Sequence, residues 1–372
     1  MGQTPEMVLC QPGAISEQAM LILSAWGMDA EDTAIAADAL TDADLRGIDS
    51  HGISLLAIYA RWNREGLFDF KAKPQMLRDG PTFALIDGQG GVGYPVSVRA
   101  TKLAVEKART AGIAAVTVRN SRHFGAAGYY ARLGAREGML TLVASTARLV
   151  CVVPPRSARP MLGTNPLAFG IPRASGEPIV FDIATSTVAA NKVRLRALKN
   201  LPLPEGWVVN EEGAPVTDPH AAEEIVFKSR RGGLTTLGAN SDLSNHKGYG
   251  LALMAHFLGG TLPGAMFNSS PRQSSRDPHN IGHFFLAIDP AIYRDLADFH
   301  EDVEDVAATL RAAPPLDPQL PVLMPGDIEN SNLAERSQNG VPLPRTLIHQ
   351  LAELSRELGV PFHLDQSAGG HS

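Results

Sequence analysis

The sequence predicts an α/β protein, because apolar runs typical of strands alternate along it with segments of helical periodicity. Two helices are predicted within residues 15–46, separated at residues 27–29, where a glycine interrupts the helical pattern. A strand, a Gly-rich turn, a helix and a second strand follow within residues 82–118. A further helix closes the chain, so helical parts are expected at both the N- and C-terminal ends.

The remaining elements follow from the same periodicities. Strands are assigned where β-branched and aromatic residues cluster, and helices where apolar residues recur every three or four positions. In chain order they are a helix at 125–138, strands at 139–145, 167–171 and 179–184, a polar insert at 210–241 with loop and short helix, a helix at 250–258, a strand at 283–289, an acidic helix at 291–312, a Pro-rich connector at 314–326 and a helix at 344–358. The 372 residues correspond to two domains, or to one large domain with a lobe, at about 150 residues per domain.

Composition excludes several classes of protein. Hydrophobic residues make up 44% and charged residues 19%, which is typical of a globular chain rather than a disordered or fibrous one. The net charge is −6 and no basic stripe is present, so we expect no nucleic-acid partner. Two cysteines and an N-terminus without the features of an export signal favour a reducing, cytoplasmic location.

An uncharged window at residues 248–267 has the length of a membrane span. Gly259, Gly260 and Pro263 interrupt it after about ten residues. We therefore expect a short buried helix in this window and no membrane partner.

The Gly-rich turn at residues 88–93 reads GQGGVG and matches the GxGxxG pattern of dinucleotide-binding loops. It follows a predicted strand and precedes a predicted helix, as that pattern requires. The acid that would bind the ribose hydroxyls is missing, because the second strand ends in Arg119 and Asn120. From the residues alone, a Rossmann-type cofactor site and a plain turn both remain open.

Two histidines have polar neighbours of the kinds that acid/base chemistry uses. His51 lies in a turn with Arg46 and Ser50, and His123 follows a predicted strand beside Arg122. Ligands usually bind at the carboxyl ends of strands in α/β sheets. An imidazole titrates near neutral pH and can carry a proton, while an Arg can bind a carboxylate through two parallel hydrogen bonds. We hypothesise that Arg46 or Arg122 binds a substrate carboxylate, and that Asp49 or Asp182 fixes the tautomer of a histidine.

Polar residues inside apolar sequence mark another candidate region. It comprises Thr164, Asn165, residues 181–187 and the start of the helix at Lys247, where backbone N–H groups and a cation favour an anion. Each has a structural alternative. Asp182 would be a buried acid with internal partners, Lys247 a solvated helix end, and Thr164 with Asn165 a turn before a proline.

A metal site was also considered. His279 and His283 lie four residues apart near Asp277, which resembles a spacing of zinc ligands. No clear third ligand accompanies them, so we expect no metal.

Five ordered motifs give the chain a specific resemblance to a known family. They are DLRGIDSHG, NSRHFGAAGYYA, LGTNPLAFGIP, VFDIATS with Lys192 following, and HKGYGLALMAHFLGG. The strings LMPGDIEN and ERSQNGVPL extend the likeness over residues 15–360. The chain resembles the malate/L-lactate dehydrogenase family, and within it most closely the 2-hydroxycarboxylate dehydrogenases.

The resemblance implies a non-Rossmann fold, in which helices flank a mixed sheet on both sides, and a homodimer. By this analogy residues 88–93 do not bind the cofactor. We predict that residues 1–115 with 285–372 form a helical, substrate-side domain and residues 116–284 the cofactor-binding domain. NAD or NADP would contact Ser145, Phe181, Asp182, Ile183, Ala184, Thr185, Ser186, Thr187, His246, Lys247, Gly326, Asp327 and Ile328.

The implied activity is hydride transfer between a nicotinamide and C2 of a small 2-oxo or 2-hydroxy acid. The catalytic candidates are His51, His123, Arg46 and Asp182. The substrate-binding candidates are Arg46, Ser50, Arg122, Thr164 and Asn165. Two alternatives stay open: reduction of a cyclic imino acid of the piperideine or pyrroline carboxylate type, and a non-catalytic metabolite-binding relative.

Overall fold

The computed structural model describes residues 6–273 and 277–364. Its strands are β1 (Met7–Cys10), β2 (Gln75–Gly80), β3 (Phe83–Asp87), β4 (Ile113–Ser121), β5 (Leu140–Ser145), β6 (Leu167–Ile171), β7 (Ile179–Ile183), β8 (Val208–Val209), β9 (Gly233–Leu234), β10 (Ile281–Ile288) and β11 (Val341–Pro344). Its α-helices are α1 (Pro12–Ala25), α2 (Ala30–Leu45), α3 (Leu55–Arg64), α4 (Gly93–Ala111), α5 (Ala127–Arg136), α6 (Ala190–Leu198), α7 (Pro219–Phe227), α8 (His246–His256), α9 (Leu296–Arg311), α10 (Asp327–Asn339) and α11 (Arg345–Leu358).

Most predicted elements are confirmed to within a few residues. The predicted break at residues 27–29 separates α1 from α2, and the strand, turn, helix and strand unit is β3, α4 and β4. The prediction missed α3, α6, α10, β1, β2, β8, β9 and β11. β11 contains two prolines, and almost every residue of β2 is exposed. Neither strand therefore has the apolar pattern by which buried strands are recognised.

The main sheet has seven strands in the order β2-β3-β4-β10-β5-β6-β7. β3 and β4 are parallel and joined by α4. Every other neighbouring pair in this sheet is antiparallel. The sheet is therefore mixed, unlike the mostly parallel sheet of a Rossmann domain, and the expected non-Rossmann fold is confirmed.

Four strands of this sheet, β3, β4, β5 and β7, end at one edge, which we call the carboxyl edge. β10 is antiparallel to both β4 and β5, so these two strands run in the same direction and end at the same edge. β6 is antiparallel to β5, and β7 to β6, so β6 begins and β7 ends there as well. The segments that carry most of the sequence motifs therefore leave the sheet on one side.

Helices cover both faces of the sheet. Phe285 of β10 packs in a cluster with Val105 of α4 and Tyr130 of α5. The adjacent Phe284 packs with Ala255 of α8, because successive side chains of a strand point to opposite faces. A separate apolar cluster joins α1, α2 and α3 to α11, so the predicted helical parts of the two termini pack together.

The uncharged window at residues 248–267 forms most of α8 and then a π-helical turn (Phe257–Thr261). The expectation of a short helix in this window is confirmed. Within the described ranges, no helix is long and apolar enough to cross a membrane.

The GQGGVG turn connects β3 to α4 and packs against the segment that follows β4. The N–H groups of Gly88, Gly90 and Gly93 donate to the carbonyls of Arg119 (2.8 Å), Asn120 (2.7 Å) and His123 (2.9 Å), and that of Gly91 donates to Gly88 (2.9 Å). These amides are therefore not available to a phosphate. The turn instead holds the backbone of His123 in place.

Gly93 is required by this close approach, because a Cβ there would lie 2.6 Å from the carbonyl oxygen of Arg122. We expect Gly93→Ala to lower the free energy of unfolding by about 1–3 kcal/mol through overpacking. Gly13→Ala is the matched control, since no atom lies within 4 Å of its Cβ position; in helix α1 it should leave stability unchanged or raise it by up to about 1 kcal/mol. Urea denaturation followed by circular dichroism measures both. Equal stability of the two variants would contradict the need for glycine at position 93.

Candidate active site

His51 and His123 come together at the carboxyl edge of the sheet. Their rings stack with centroids 5.7 Å apart and planes at 24°. His51 lies in the turn between α2 and α3, and His123 follows β4 by two residues. The tertiary structure thus pairs two candidates that the sequence separates widely.

The Nδ1 atom of each ring contacts a hydroxyl group. Ser50 Oγ lies 2.8 Å from His51 Nδ1, and Tyr59 Oη lies 2.7 Å from His123 Nδ1. Tyr59 Oη also lies 2.9 Å from Tyr94 Oη, and both tyrosines are buried. A hydroxyl can donate or accept, so Tyr59 can hold the His123 ring in either tautomer and leave Nε2 for a ligand.

A second, longer contact reaches the same nitrogen of His123. The Gly125 N–H lies 3.4 Å from Nδ1, beyond the usual range of N–H hydrogen bonds. Tyr59 is therefore the partner that fixes the ring.

Burial sets the protonation state of the pair. It lowers the pKa of His51 to about 4 and that of His123 to about 3. Repulsion from His51, His283 and Arg148 adds to the effect of burial on the pKa of His123. Because an ordinary histidine titrates near 6.5, both rings are neutral at pH 7 and can accept a proton.

A third histidine, His283 on β10, joins the ends of β4 and β5. Its Nε2 lies 3.0 Å from Ser121 Oγ and its Nδ1 lies 2.8 Å from Ser145 Oγ. The fully buried ring stacks on Phe124 at 4.4 Å, and burial lowers its pKa to about 3. Sequence analysis considered His283 only as a metal ligand. In the structure, the ring and the predicted cofactor residue Ser145 form a buried hydrogen-bonded bridge.

Arg46 is placed in an internal ion-pair network. Its side chain is 1% exposed, and its three guanidinium nitrogens contact Asp42 (2.9 Å), Asn330 (2.8 Å) and Glu177 (2.7 Å). Arg132 also pairs with Asp42. This geometry favours a structural role for Arg46 over contact with a substrate carboxylate.

Arg122 is engaged in the same way. Its guanidinium donates to the carbonyls of Leu67 (2.8 Å) and His279 (2.9 Å) and pairs with Asp277 (2.8 Å). It therefore ties the loop after β4 to two other segments. Each of its three nitrogens already has a partner.

The two acids considered for fixing a histidine tautomer have other partners. Asp49 pairs with Arg336 at 2.5 Å, and Asp182 Oδ2 accepts the N–H of Gly128 at 2.7 Å. Asp182 keeps accessible surface on the edge strand β7, but protein atoms enclose its carboxyl group, and this burial raises its pKa to about 6. The hydroxyls of Ser50 and Tyr59 occupy the Nδ1 positions where a carboxylate was expected.

The segment after β7 forms a tightly bonded turn. Thr185 Oγ1 donates to the carbonyls of Thr164 (3.0 Å) and Asn165 (3.1 Å). Ser186 Oγ donates to the carbonyl of Val188 at 2.7 Å. These hydroxyls are used internally, so they shape the turn, while Ile183 and Ala184 keep partly exposed surface.

Asn165, before β6, is also used internally. Its Oδ1 accepts the N–H of Ala147 at 3.2 Å, and its Nδ2 lies 3.4 Å from the carbonyl of Ala252. It is 1% exposed. These contacts join Asn165 to the segment after β5 and to α8, so its amide group links distant segments rather than closing a local turn.

The start of α8 lies next to the turn that follows β7. Thr187 Oγ1 donates to the carbonyl of Thr236 at 2.7 Å, and Thr236 Oγ1 donates to that of Asn245 at 2.8 Å. The side chains of His246 and Lys247, the first residues of α8, are exposed. The structure therefore brings the predicted helix start to the predicted strand end.

The turn before α10 packs against β7. A Cβ on Gly326 would lie 3.2 Å from the carbonyl oxygen of Val180. Asp327 pairs with Arg311 at 2.7 Å, and Ile328 is 60% exposed. Residues that are far apart in sequence but were predicted to bind one cofactor thus converge on β7.

Comparison with known proteins decides the family. The model of the malate/L-lactate dehydrogenase family matches residues 11–352. The chain belongs to this family. Its relatives are dehydrogenases that act on hydroxy acids, so this malate/L-lactate dehydrogenase family member is an oxidoreductase rather than a non-catalytic binding protein.

Two relatives show the range of names within the family. The chain is 35% identical over 340 residues to a malate dehydrogenase of Pyrococcus horikoshii, covering 91% of this chain and 92% of that protein. It is 32% identical over 336 residues to a (2R)-3-sulfolactate dehydrogenase (NADP(+)) of Chromohalobacter salexigens, covering 90% and 94%.

Solved structures agree with the family fold. The malate dehydrogenase from Entamoeba histolytica matches with a TM-score of 0.90 and 32% identity over 96% of this chain and 99% of that one. A delta1-piperideine-2-carboxylate reductase from Pseudomonas syringae matches with a TM-score of 0.79 and 29% identity over 93% and 99%.

Sequence analysis missed several residues that this family member places near His123. Tyr59 and Trp62 lie on α3, a helix that was not predicted, and Arg148 follows β5. The one available signal was the spacing of Tyr59 and Trp62, three residues apart and so on one face of a helix. Nothing local marks Arg148.

The ion pairs of Arg46 predict a stability effect. Arg46→Met takes one of two cationic partners from Asp42 and from Glu177, which keep Arg132 and Arg136, and should lower the free energy of unfolding by about 1–3 kcal/mol. Arg61→Met is the control, because Arg61 is 63% exposed and pairs only loosely with Glu65, and its effect should stay below about 1 kcal/mol. Urea denaturation compares them. If Arg46→Met unfolds like the unmodified chain but raises the KM for substrate, Arg46 has the substrate-binding role instead.

Proposed function

We propose that this family member interconverts a 2-oxo acid and a 2-hydroxy acid, with NAD or NADP as the hydride carrier. The observation that carries the proposal is the stacked pair of His51 and His123, both held neutral at pH 7 by burial. Oxidation of a hydroxyl group needs a neutral base of this kind. Relatives named malate and (2R)-3-sulfolactate dehydrogenase support the substrate class.

In this proposal His123 carries the proton. During oxidation its Nε2 takes the proton of the substrate hydroxyl, C2 gives up its hydrogen as hydride, and the C2–O bond becomes a carbonyl. The resulting imidazolium donates Nδ1–H to Tyr59 Oη, which donates in turn to Tyr94 Oη. Reduction runs through the same atoms in reverse, and His51 packs against the ring that reacts.

The residues around β7 fit a nicotinamide dinucleotide. Phe181 and Ile328 expose apolar surface that flat rings can contact. Lys247 supplies positive charge at the start of α8, beside His246, where backbone N–H groups favour phosphates. The cofactor, when bound, supplies or accepts the hydride. Asp182, Ile183, Ala184 and Gly326 complete the proposed contacts, whereas Thr185, Ser186, Thr187 and Asp327 shape the turns that hold them.

Three further expectations belong to the same proposal: the homodimer, the cytoplasmic location and the division into a cofactor-binding and a substrate-side domain. They follow from the family resemblance and the composition.

Reduction of a cyclic imino acid is the second candidate. The similarity to a delta1-piperideine-2-carboxylate reductase favours it, because a C=N bond would need the same hydride and the same proton. Oxidation of NADH and NADPH against a panel of 2-oxo acids and one cyclic imino acid separates the two. Turnover of the imino acid alone would replace the first proposal with the second.

The proton carrier predicts a loss of turnover. His123→Ala should lower kcat by about 10²–10⁴-fold without changing the dissociation constant of NADH, measured by fluorescence titration. His220→Ala, an exposed position on α7, is the control and should change neither quantity. A larger loss of kcat in His51→Ala than in His123→Ala would identify His51 as the proton carrier instead. Unchanged kcat in both variants would refute the role of the pair.

The lowered pKa values predict an unusual pH dependence. The neutral base persists at acidic pH, so kcat/KM for hydroxy-acid oxidation should stay constant down to about pH 5, well below the ordinary histidine value. Reduction needs the protonated ring, so its kcat/KM should fall about tenfold for each unit of rising pH. Initial rates with saturating cofactor measure both profiles. An inflection of the oxidation profile near 6.5 would contradict the effect of burial.

A further inference from the structure

Arg148, which follows β5, is a cation without a bound counterion. Its guanidinium has no hydrogen-bond or ion-pair partner among residues 6–273 and 277–364, although its carbonyl accepts Asn268 Nδ2 at 3.2 Å. The guanidinium lies over the ring of Trp62, whose centroid is 4.9 Å from Cζ. Arg46 and Arg122, by contrast, have a partner at every guanidinium nitrogen.

The sheet places Arg148 and His123 on the same side. Ser121 and Ser145, the last residues of β4 and β5, both bond to His283 on the strand between them. His123 lies two residues beyond Ser121, and Arg148 lies three residues beyond Ser145. Strands two positions apart are separated by about 10 Å, a gap that an arginine side chain and a small acid can span together.

Helix α3 holds both groups from one face. Tyr59 contacts His123 through its hydroxyl at 2.7 Å, and Trp62, three residues later, lies beneath the guanidinium of Arg148. The rings of Tyr59 and Trp62 have centroids 5.8 Å apart. Stacking on an aromatic face restrains an arginine side chain while its N–H groups stay available.

The charge of Arg148 acts on the ring of His123. It contributes to the lowered pKa of His123, and also to that of His279. Partial burial and the nearby Arg61 in turn lower the pKa of Arg148 itself. An anion placed between Arg148 and His123 would offset the positive charge of Arg148 and so favour the protonated form of His123.

We propose that Arg148 binds the carboxylate of the substrate and thereby places C2 against Nε2 of His123. The inference rests on the proposed function. It gives Arg148 the carboxylate-binding role that was predicted for Arg46 or Arg122. The planar guanidinium forms two parallel hydrogen bonds with one carboxylate. The negative charge of the bound carboxylate also stabilises the imidazolium that forms at His123 during oxidation.

The test compares a 2-oxo acid with its methyl ester, using the acid from the panel that the unmodified enzyme reduces best. Arg148→Met should raise the KM of the acid about 10- to 100-fold and leave kcat/KM of the uncharged ester unchanged. Arg148→Lys should restore part of the preference for the acid. Arg61→Met is the matched control, because it removes a neighbouring charge from the exposed side of α3, and it should keep the full preference for the acid.

Each result has one meaning. Loss of the acid-over-ester preference in Arg148→Met alone supports the proposal. If Arg148→Met and Arg61→Met behave alike, or if Arg148→Met loses acid and ester activity equally, the carboxylate contact is overturned while the proposed function stands. No turnover of any acid by the unmodified enzyme overturns the proposed function, and the assignment of Arg148 with it.

Discussion

The position of β10 between β4 and β5 is the constraint on which the site depends. Because β10 is antiparallel to both, β4 and β5 must run the same way and release their following segments at one edge. His283 reinforces this arrangement by bonding to the last residue of each neighbouring strand. A buried imidazole with a hydrogen-bond partner at each nitrogen fixes the two neighbouring strand ends, because loss of either partner leaves an unsatisfied polar atom.

The segments that leave this edge are then held from two sides. The GQGGVG turn uses its amides to hold the backbone around His123, so a motif that resembles a phosphate loop has a structural task here. On the other side, α3 supplies Tyr59 to the His123 ring and Trp62 to Arg148. A catalytic ring is useful only when its orientation is restrained, and these contacts restrain both its backbone and its Nδ1 atom.

Charge burial separates the arginines of the region into two kinds. Arg46 and Arg122 are surrounded by acids and carbonyls, as a buried cation must be to offset the cost of leaving water. Arg148 is exposed to solvent and stacks on an aromatic ring, and no acid within residues 6–273 and 277–364 forms an ion pair with it. The same residue type can therefore brace the fold in one place and remain available to an anion in another.

The sequence by itself determined the α/β alternation, the break between α1 and α2, the family and the histidines worth testing. These depend on local periodicity and on ordered motifs, which are properties of neighbouring residues. Only the tertiary structure decided that His51 stacks on His123 and that Tyr59 rather than Asp49 or Asp182 holds a ring. It also decided that Arg148, unlike Arg46 and Arg122, has no ion-pair partner among the described residues. The partner of a polar side chain depends on strand order and on helices such as α3, whose positions are fixed by contacts between residues far apart in the chain.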